Sequence, residues 1–386
     1  MEYVAVEGVE VPRFVNEFWT SRQRQASSIH EISYRACFKP QLPSFFIQLL
    51  TGEGDVVYDP FSGRGTTVVE AGLLGRRVIS NDINPLSEIL CRPRFFIPSP
   101  DEVEERLRQV PINTGARAEM DLSMFYHPDT EAEIVSLRNY LNKRRQEGTE
   151  DDVDRWIRMV ATSRLTGHSR GFFSVYTLPP NQAVTPERQA KINERLGQKP
   201  EYRDTRAIIM KKTKSLLGRL ERREKLNLLK AGRSALFLSC DARHTPGIES
   251  GSVDLTVTSP PFLDVVDYAS DNWLRCWFNG IDPNDIAKRI TVARDLSDWC
   301  GIMQEVFFEL YRVTAPGGWV AFEVGEVRRG SINLDEHVVP LGLRAGFECP
   351  GIVVNQQHFT KTSHIWGIDN NSYGTNTNRI VLFYKG

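Results

Sequence analysis

Gly54-Asp55-Val56-Val57-Tyr58-Asp59-Pro60-Phe61-Ser62-Gly63-Arg64-Gly65-Thr66-Thr67 decides how this chain folds. Val56 to Tyr58 predicts a short strand, which ends before a proline that cannot donate to a ladder. The glycines predict a tight turn, and Thr66 to Leu74 a helix. Arg77 to Ser80 predicts the next strand, ending at Asn81-Asp82-Ile83-Asn84-Pro85. Strand, turn, helix and strand make a nucleotide-binding half-fold, so the class is α/β, with its ligand at the carboxyl edge of the sheet.

The turn has a chemistry of its own. Glycine lets a ligand approach the backbone, and the helix start offers free N–H groups and a positive dipole end. Asp82, closing the second strand, is placed to accept from ribose hydroxyls. Two features argue against a dinucleotide. The third glycine of G-x-G-x-x-G is absent, and Asp59-Pro60 sets an acid where a pyrophosphate would be repelled. An acid there suits a cationic cofactor such as S-adenosylmethionine.

A second stretch, Asp254-Leu255-Thr256-Val257-Thr258-Ser259-Pro260-Pro261-Phe262, predicts a buried strand stopped by two prolines. It would project a stiff tetrapeptide from the same edge. The Ser259 hydroxyl and the Pro260 carbonyl can then converge on one small donor, and Phe262 can cover a flat partner. That suits the exocyclic amine of a nucleobase, a poor nucleophile whose lone pair is delocalised into the ring. Two acceptors favour its attacking form, and an aromatic face holds a base that has left its stack. Read as bare residues, a Pro-rich turn after a strand is the competing account.

The chain has 386 residues, 40% hydrophobic and 25% charged, which implies one large domain with an insertion, or two domains. A net charge of -1 excludes a global nucleic-acid signature and leaves local patches. The six cysteines, at 37, 91, 240, 276, 300 and 349, form no C-x-x-C pair and predict neither a zinc site nor a disulfide frame. The first residues lack a signal pattern, and no run of about 18 apolar residues occurs. A cytoplasmic protein with no membrane span and no metal is expected, nucleoid-associated when bound to DNA.

Residues 1–35 are weakly periodic. Phe38 to Pro43 predicts an extended stretch, followed by a helix from Ser44 to Leu50. Between about 95 and 230 the βα rhythm breaks. Glu102–Val110, Thr130–Arg145, Asp152–Ser163 and Arg206–Lys230 predict helices. The last is crowded with Lys211, Lys212, Lys214 and other basic residues, a solvated face or a phosphate-contacting one. The loop from Thr166 to Gln182 mixes aromatics, Arg170, Asn and Gln, which suits DNA contact or internal packing. The βα pattern resumes at Ala235–Leu238, and Asp241 follows that strand. A helical stretch from Trp273 comes next, then an amphipathic helix over Asp298–Val313. Pro316-Gly317-Gly318 turns into a strand over Trp319–Val324, and Ile380–Tyr384 is a last strand.

With both motifs in place the chain resembles the amino-group DNA methyltransferases, in particular the N4-cytosine type. Asp59-Pro60-Phe61-Ser62-Gly63-Arg64-Gly65-Thr66-Thr67 matches the fixed positions of the family's D-P-F-x-G-x-G-T-T motif, and Ser259-Pro260-Pro261-Phe262 its S/D/N-P-P-aromatic motif. Serine there is usual for N4-cytosine enzymes. Lys39-Pro40 resembles the segment that helps hold the methionine end of the cofactor. The resemblance covers residues 30–95 and 235–386. It implies a Rossmann-like class I S-adenosylmethionine-dependent methyltransferase fold with a large, mainly helical insertion. The segments are then 1–94, 95–234 as the candidate target-recognition region, and 235–386. It implies cofactor contacts along Asp59 to Gly63, at Gly65, Thr66 and Thr67, at Asp82 with Ile83, at Asp241 with Ala242, and at Ser259. Asp82 would take the ribose and Asp241 the adenine amine. Ser259, Pro260, Pro261 and Phe262 would be catalytic. The implied partners are double-stranded DNA and a cognate restriction endonuclease. No Pro-Cys pair occurs, against a C5-cytosine mechanism.

Rival readings are an enzyme acting on adenine, an RNA base or a protein glutamine, and a DNA-binding protein with a vestigial cofactor fold. Serine at 259 speaks against the RNA and glutamine substrates, and the intact Ser259–Phe262 motif against decay.

Overall fold

The computed structural model describes residues 1–386 apart from 20–25, 35–36, 179–182, 262–270, 291–292, 294, 328–331 and 357–376. Phe262 and the end of the 166–182 loop therefore lie outside the described residues. The strands are β1 (Glu2–Val6), β2 (Val9–Asn16), β3 (Val56–Asp59), β4 (Arg77–Asn81), β5 (Leu236–Leu238), β6 (Val253–Thr258), β7 (Thr314–Val324), β8 (Glu326–Val327), β9 (Ile332–Asn333), β10 (Glu348–Gln356) and β11 (Thr377–Tyr384). All but the β8–β9 ribbon join one nine-stranded sheet, in the order β1-β2-β10-β11-β7-β6-β3-β4-β5. From β5 to β7 the strands are parallel. β11 runs antiparallel to both neighbours, β7 and β10.

The order explains where a site forms. From β3 the chain builds outward through β4 to β5, then crosses back to lay β6 on the other side of β3. The order reverses between β3 and β6, and a crevice opens there at the carboxyl ends. The register pairs Val57 with Leu255 and Tyr58 with Thr256. The Asp254 carboxylate accepts from Val56 N at 2.8 Å and helps anchor that pairing. β3 is buried throughout, as a central parallel strand must be. This is the Rossmann-like arrangement that the resemblance implied.

Several elements differ from the expectations. The weakly periodic N-terminus forms the β1–β2 hairpin, turned by Glu7 (φ 47°) and Gly8 (φ 84°), the two positive φ values of a tight two-residue turn. β1 lies at the sheet edge with mostly exposed side chains, so burial leaves no alternation to read. The helix expected from Ser44 begins at Gln41. Pro40 and Pro43 fall at its start, where a missing N–H costs nothing. β7 begins at Thr314, so Pro316-Gly317-Gly318 lies inside the strand, at a shift in the β6–β7 register.

The helical region comprises Pro100–Gln109, Pro128–Gln146, Asp152–Arg164, Pro186–Leu196, Thr205–Leu217 and Arg222–Gly232. The single helix expected over 206–230 is two. The chain breaks after Leu217, and a new capping box, Glu221 with Glu224, starts the second. That second helix packs on Thr66–Leu73, as the crossover into β5 requires. The fully buried Asp154 accepts from Arg144 at 2.5 Å and from Arg106, tying three helices to one carboxylate. One continuous core joins sheet residues such as Val57 and Val257 to Trp156, Ile157 and Ile209 of these helices. No helix among the described residues is long and apolar enough to cross a membrane.

Candidate active site at the β3–β6 crevice

The two motifs meet where the strand order reverses. Asp59 ends β3 almost fully buried. Its carboxylate accepts from the Thr258 hydroxyl at 2.6 Å and from Phe61 N at 3.1 Å. The Thr67 hydroxyl donates to the Val257 carbonyl at 3.0 Å. The strand and helix of one motif are thus bonded directly to the strand of the other.

The turn after β3 is set from within. Ser62 Oγ donates to the Asp59 carbonyl at 2.9 Å and receives the Ser80 hydroxyl at 2.9 Å. Gly63 N donates to Asp82 Oδ2 at 2.8 Å, and Asn84 N to Asp82 Oδ1 at 2.9 Å. Gly65 caps the helix Thr66–Leu73 in the left-handed region, at φ 78°. A Cβ there would sit 2.4 Å from Cys91 Sγ, so Gly65 serves packing on its protein side. A Cβ on Gly63 would meet the Tyr34 ring at 3.6 Å, an ordinary contact.

Asn81, fully buried, braces three strand ends. Its Nδ2 donates to the Pro60 carbonyl at 3.3 Å and the Cys240 carbonyl at 3.0 Å, and its Oδ1 accepts from Cys240 N at 2.9 Å. The loops carrying Asp59, Asp82 and Asp241 are thereby gathered at one edge.

The carboxylates differ in state. Burial is the main cause that raises Asp59 to about 7 and Asp82 to about 6. Neither forms an ion pair with a cation among the described residues. Asp241 is gripped by Arg243, at 2.7 Å and 3.0 Å, and that partner is the main reason its pKa is lowered. One buried and one half-buried carboxylate, neither neutralised, around a glycine turn fit a cationic group and would repel a phosphate. Lys39 is half-buried, which lowers its pKa, and Pro40 caps the helix Gln41–Leu50.

Ser259 stands just beyond β6. Its hydroxyl bonds to Glu323 on β7, a buried carboxylate that also accepts from Asn378 Nδ2 at 2.8 Å. Burial raises the Glu323 pKa. Pro260 is buried and Pro261 exposed, and the Pro261 carbonyl accepts from Trp299 Nε1 at 3.0 Å. Glu323, Trp299 and Asn81 escaped sequence reading. Glu323 and Trp299 are single letters inside a strand and a helix with no motif around them, and Asn81 is overshadowed by Asp82 beside it.

The candidate DNA residues differ in exposure. Lys211 and Lys214 are exposed on Thr205–Leu217. Lys212 turns inward, its side chain 11% exposed, to meet Glu31 at 3.4 Å. Arg170 is fully in solvent on another loop, 4.0 Å from Glu201.

A family model described as DNA methylase matches residues 7–88. The type II methyltransferase M.BsoBI of Geobacillus stearothermophilus is 23% identical over 313 residues, 72% of this chain and 58% of that protein. M.MvaI of Kocuria varians, also a type II methyltransferase, is 25% identical over 265 residues, 60% of this chain and 52% of that protein. The chain thus spans little more than half the length of these curated relatives. Among solved structures, the rRNA methyltransferase aviRa of Streptomyces viridochromogenes aligns over 94% of this chain and 90% of its own, at 12% identity and a TM-score of 0.36.

Proposed function

We propose that the chain is an amino-group DNA methyltransferase, a reading supported by the DNA methylase model over residues 7–88 and by the type II methyltransferase relatives, and that it methylates the N4 amine of cytosine in DNA with S-adenosylmethionine as the methyl donor. One observation carries the reading. Ser259-Pro260 and the glycine turn lie on adjacent strands, bonded through Thr258 and Asp59.

The residues at the turn fit this cofactor. Asp59 and Asp82 offer negative charge without a protein counter-cation, and Gly63 leaves backbone open between them. Asp82 would hold the ribose. Asp241, with one Oδ2 lone pair beyond those Arg243 uses, would hold the adenine amine. The bound cofactor supplies an electrophilic methyl on positive sulfur. Everything else falls to the protein.

Ser259 gives its proton to Glu323, which leaves its oxygen lone pairs as acceptors. The Pro260 carbonyl is an acceptor without choice. Two acceptors that converge on an amine draw its N–H bonds out of the ring plane and take the nitrogen lone pair out of conjugation, which frees it for attack. After methylation the nitrogen must shed a proton. The Ser259 oxygen can take it while passing its own to Glu323, which burial makes a better proton acceptor than an exposed carboxylate. Phe262 would stack on the flipped base.

Incubating the protein with DNA and labelled cofactor, then digesting the DNA for mass spectrometry, tests this. N4-methylcytosine is expected. Methyl on adenine N6 would overturn the cytosine assignment and keep the amine mechanism. Methyl on a ring carbon would overturn the mechanism.

A further inference from the structure

A cationic cluster lies where the helical region meets the cofactor side of the sheet. Arg164 ends the helix Asp152–Arg164 and is about nine-tenths buried. Its guanidinium lies 4.0 Å from the centre of the Phe172 ring, and its Nε donates to Ser163. It forms no ion pair among the described residues. A buried guanidinium with no carboxylate is an uncompensated cost that a bound anion removes.

Two further cations come from helices packed on the same one. Lys212, on Thr205–Leu217, meets Glu31 at 3.4 Å, and Glu31 is shared with Arg219 at 2.8 Å. Arg275, on Trp273–Asn279, donates to the Ser33 carbonyl at 3.3 Å and lies 5.6 Å from the Tyr34 ring centre. Arg164 feels the repulsion of Arg275, and Lys212 that of Arg164. Burial above all, then Arg164, pulls Lys212 down to about 8 against the pull of Glu31. Asp271 acts on Arg275 from its own segment. Among the described residues, the carboxylates Glu31 and Asp271 thus face Arg164, Lys212, Arg219 and Arg275.

Position names the anion. Tyr34, which Arg275 overlies, is the residue that a Cβ on Gly63 would touch. The cluster is therefore one aromatic ring away from the cofactor turn. The helix carrying Arg275 follows the Ser259–Phe262 segment in the chain. A base drawn out of a duplex brings its own backbone with it, and a phosphodiester beside it needs a fixed positive partner. We propose that Arg164, Lys212 and Arg275 clamp one backbone phosphate of the DNA strand that carries the methylated base. This rests on the DNA-methylating reading above and gives phosphate recognition to an inward-facing cluster rather than to the exposed Lys211 and Lys214.

The test measures binding of a mixed-sequence DNA duplex to the full chain over a range of salt concentrations. Lys212→Gln and Arg164→Gln are each compared with Lys211→Gln, alongside thermal unfolding and S-adenosylmethionine affinity. Lys212→Gln and Arg164→Gln should each weaken DNA binding several-fold. Combined, they should lower the slope of log K against log salt by about one, the mark of a single lost phosphate. Cofactor affinity should hold, and Lys211→Gln should change little. Should Arg164→Gln fail to fold, Lys212→Gln carries the test, because Lys212 is held only by a partly exposed ion pair. An unchanged slope in a folded variant overturns the clamp and leaves the methylation reading standing. Failure of the unaltered protein to bind DNA overturns both. Stabilisation by inorganic phosphate that these variants abolish, with DNA binding unchanged, gives the cluster to a free phosphate and overturns the proposal.

Discussion

Ser259 and Glu323 form the pair whose chemistry is most open to test. Ser259→Ala removes one preorganised acceptor and should lower turnover on the order of 10²–10³-fold. S-adenosylmethionine affinity should be unaltered, the pattern of an interaction made mainly in the transition state. Glu323→Gln keeps the shape but cannot take a proton. Its pH profile of kcat, at saturating cofactor and DNA, should lack the acidic limb expected of the parent. Normal turnover in Ser259→Ala, or an identical limb in Glu323→Gln, would sink the acceptor assignment. Ser259, Asp59 and Asp82 were legible because each stands at a strand end beside residues that break the strand. Glu323 was not, because a lone acid inside the apolar run Trp319–Val324 looks like any other strand residue until β6 is laid beside it. Arg164 was equally invisible, one basic residue at the end of a helix rich in them.

At the level of elements, the glycine turn separates a tightly packed glycine from one with room beside it. Gly65→Ala sets a Cβ 2.4 Å from Cys91 Sγ at a positive φ, so strain and overpacking add. A loss of about 2–5 kcal/mol is expected in chemical denaturation. Cys91→Ala should recover part of it by removing the sulfur. Gly63→Ala meets only an ordinary contact and should cost about 1–2 kcal/mol, from its φ of 52°. Equal losses at the two sites would contradict this division. The strand–turn–helix–strand series was legible because propensity, periodicity and turn chemistry agree over Val56 to Asn81. The hairpin of β1 and β2 was not, since an exposed edge strand carries no burial pattern. The break at Gly218 was hidden because basic residues continue on both sides of it.

Across the whole molecule, the crevice holds two carboxylates at the cost of solvation. Asp59 and Asp82 have folded pKa values of about 7 and about 6, above the unfolded value near 3.8. Between about pH 4 and 7 the folded state binds more protons than the unfolded one, so stability without ligand should fall as pH rises through that window. A cationic ligand favours the ionised forms. S-adenosylmethionine affinity should therefore rise over pH 5–8, with protons released on binding. Calorimetry in buffers of different ionisation heat reads this directly, and binding without proton release would count against Asp59 and Asp82 as the cation's partners. The extent of the helical region was legible from the lost βα rhythm. That it shares one core with the sheet was not, because apolar faces do not name their partners. The bond from Thr258 to Asp59 joins residues 199 apart in sequence. During synthesis at about 5–20 residues per second, β6 leaves the ribosome about 10–40 s after β3. For that interval one edge of β3 has no strand beside it, and an unpaired hydrophobic edge is a template for wrong pairing. The bond that assembles the crevice waits on the second half of the chain, so the nascent chain must be kept from aggregating until that half arrives.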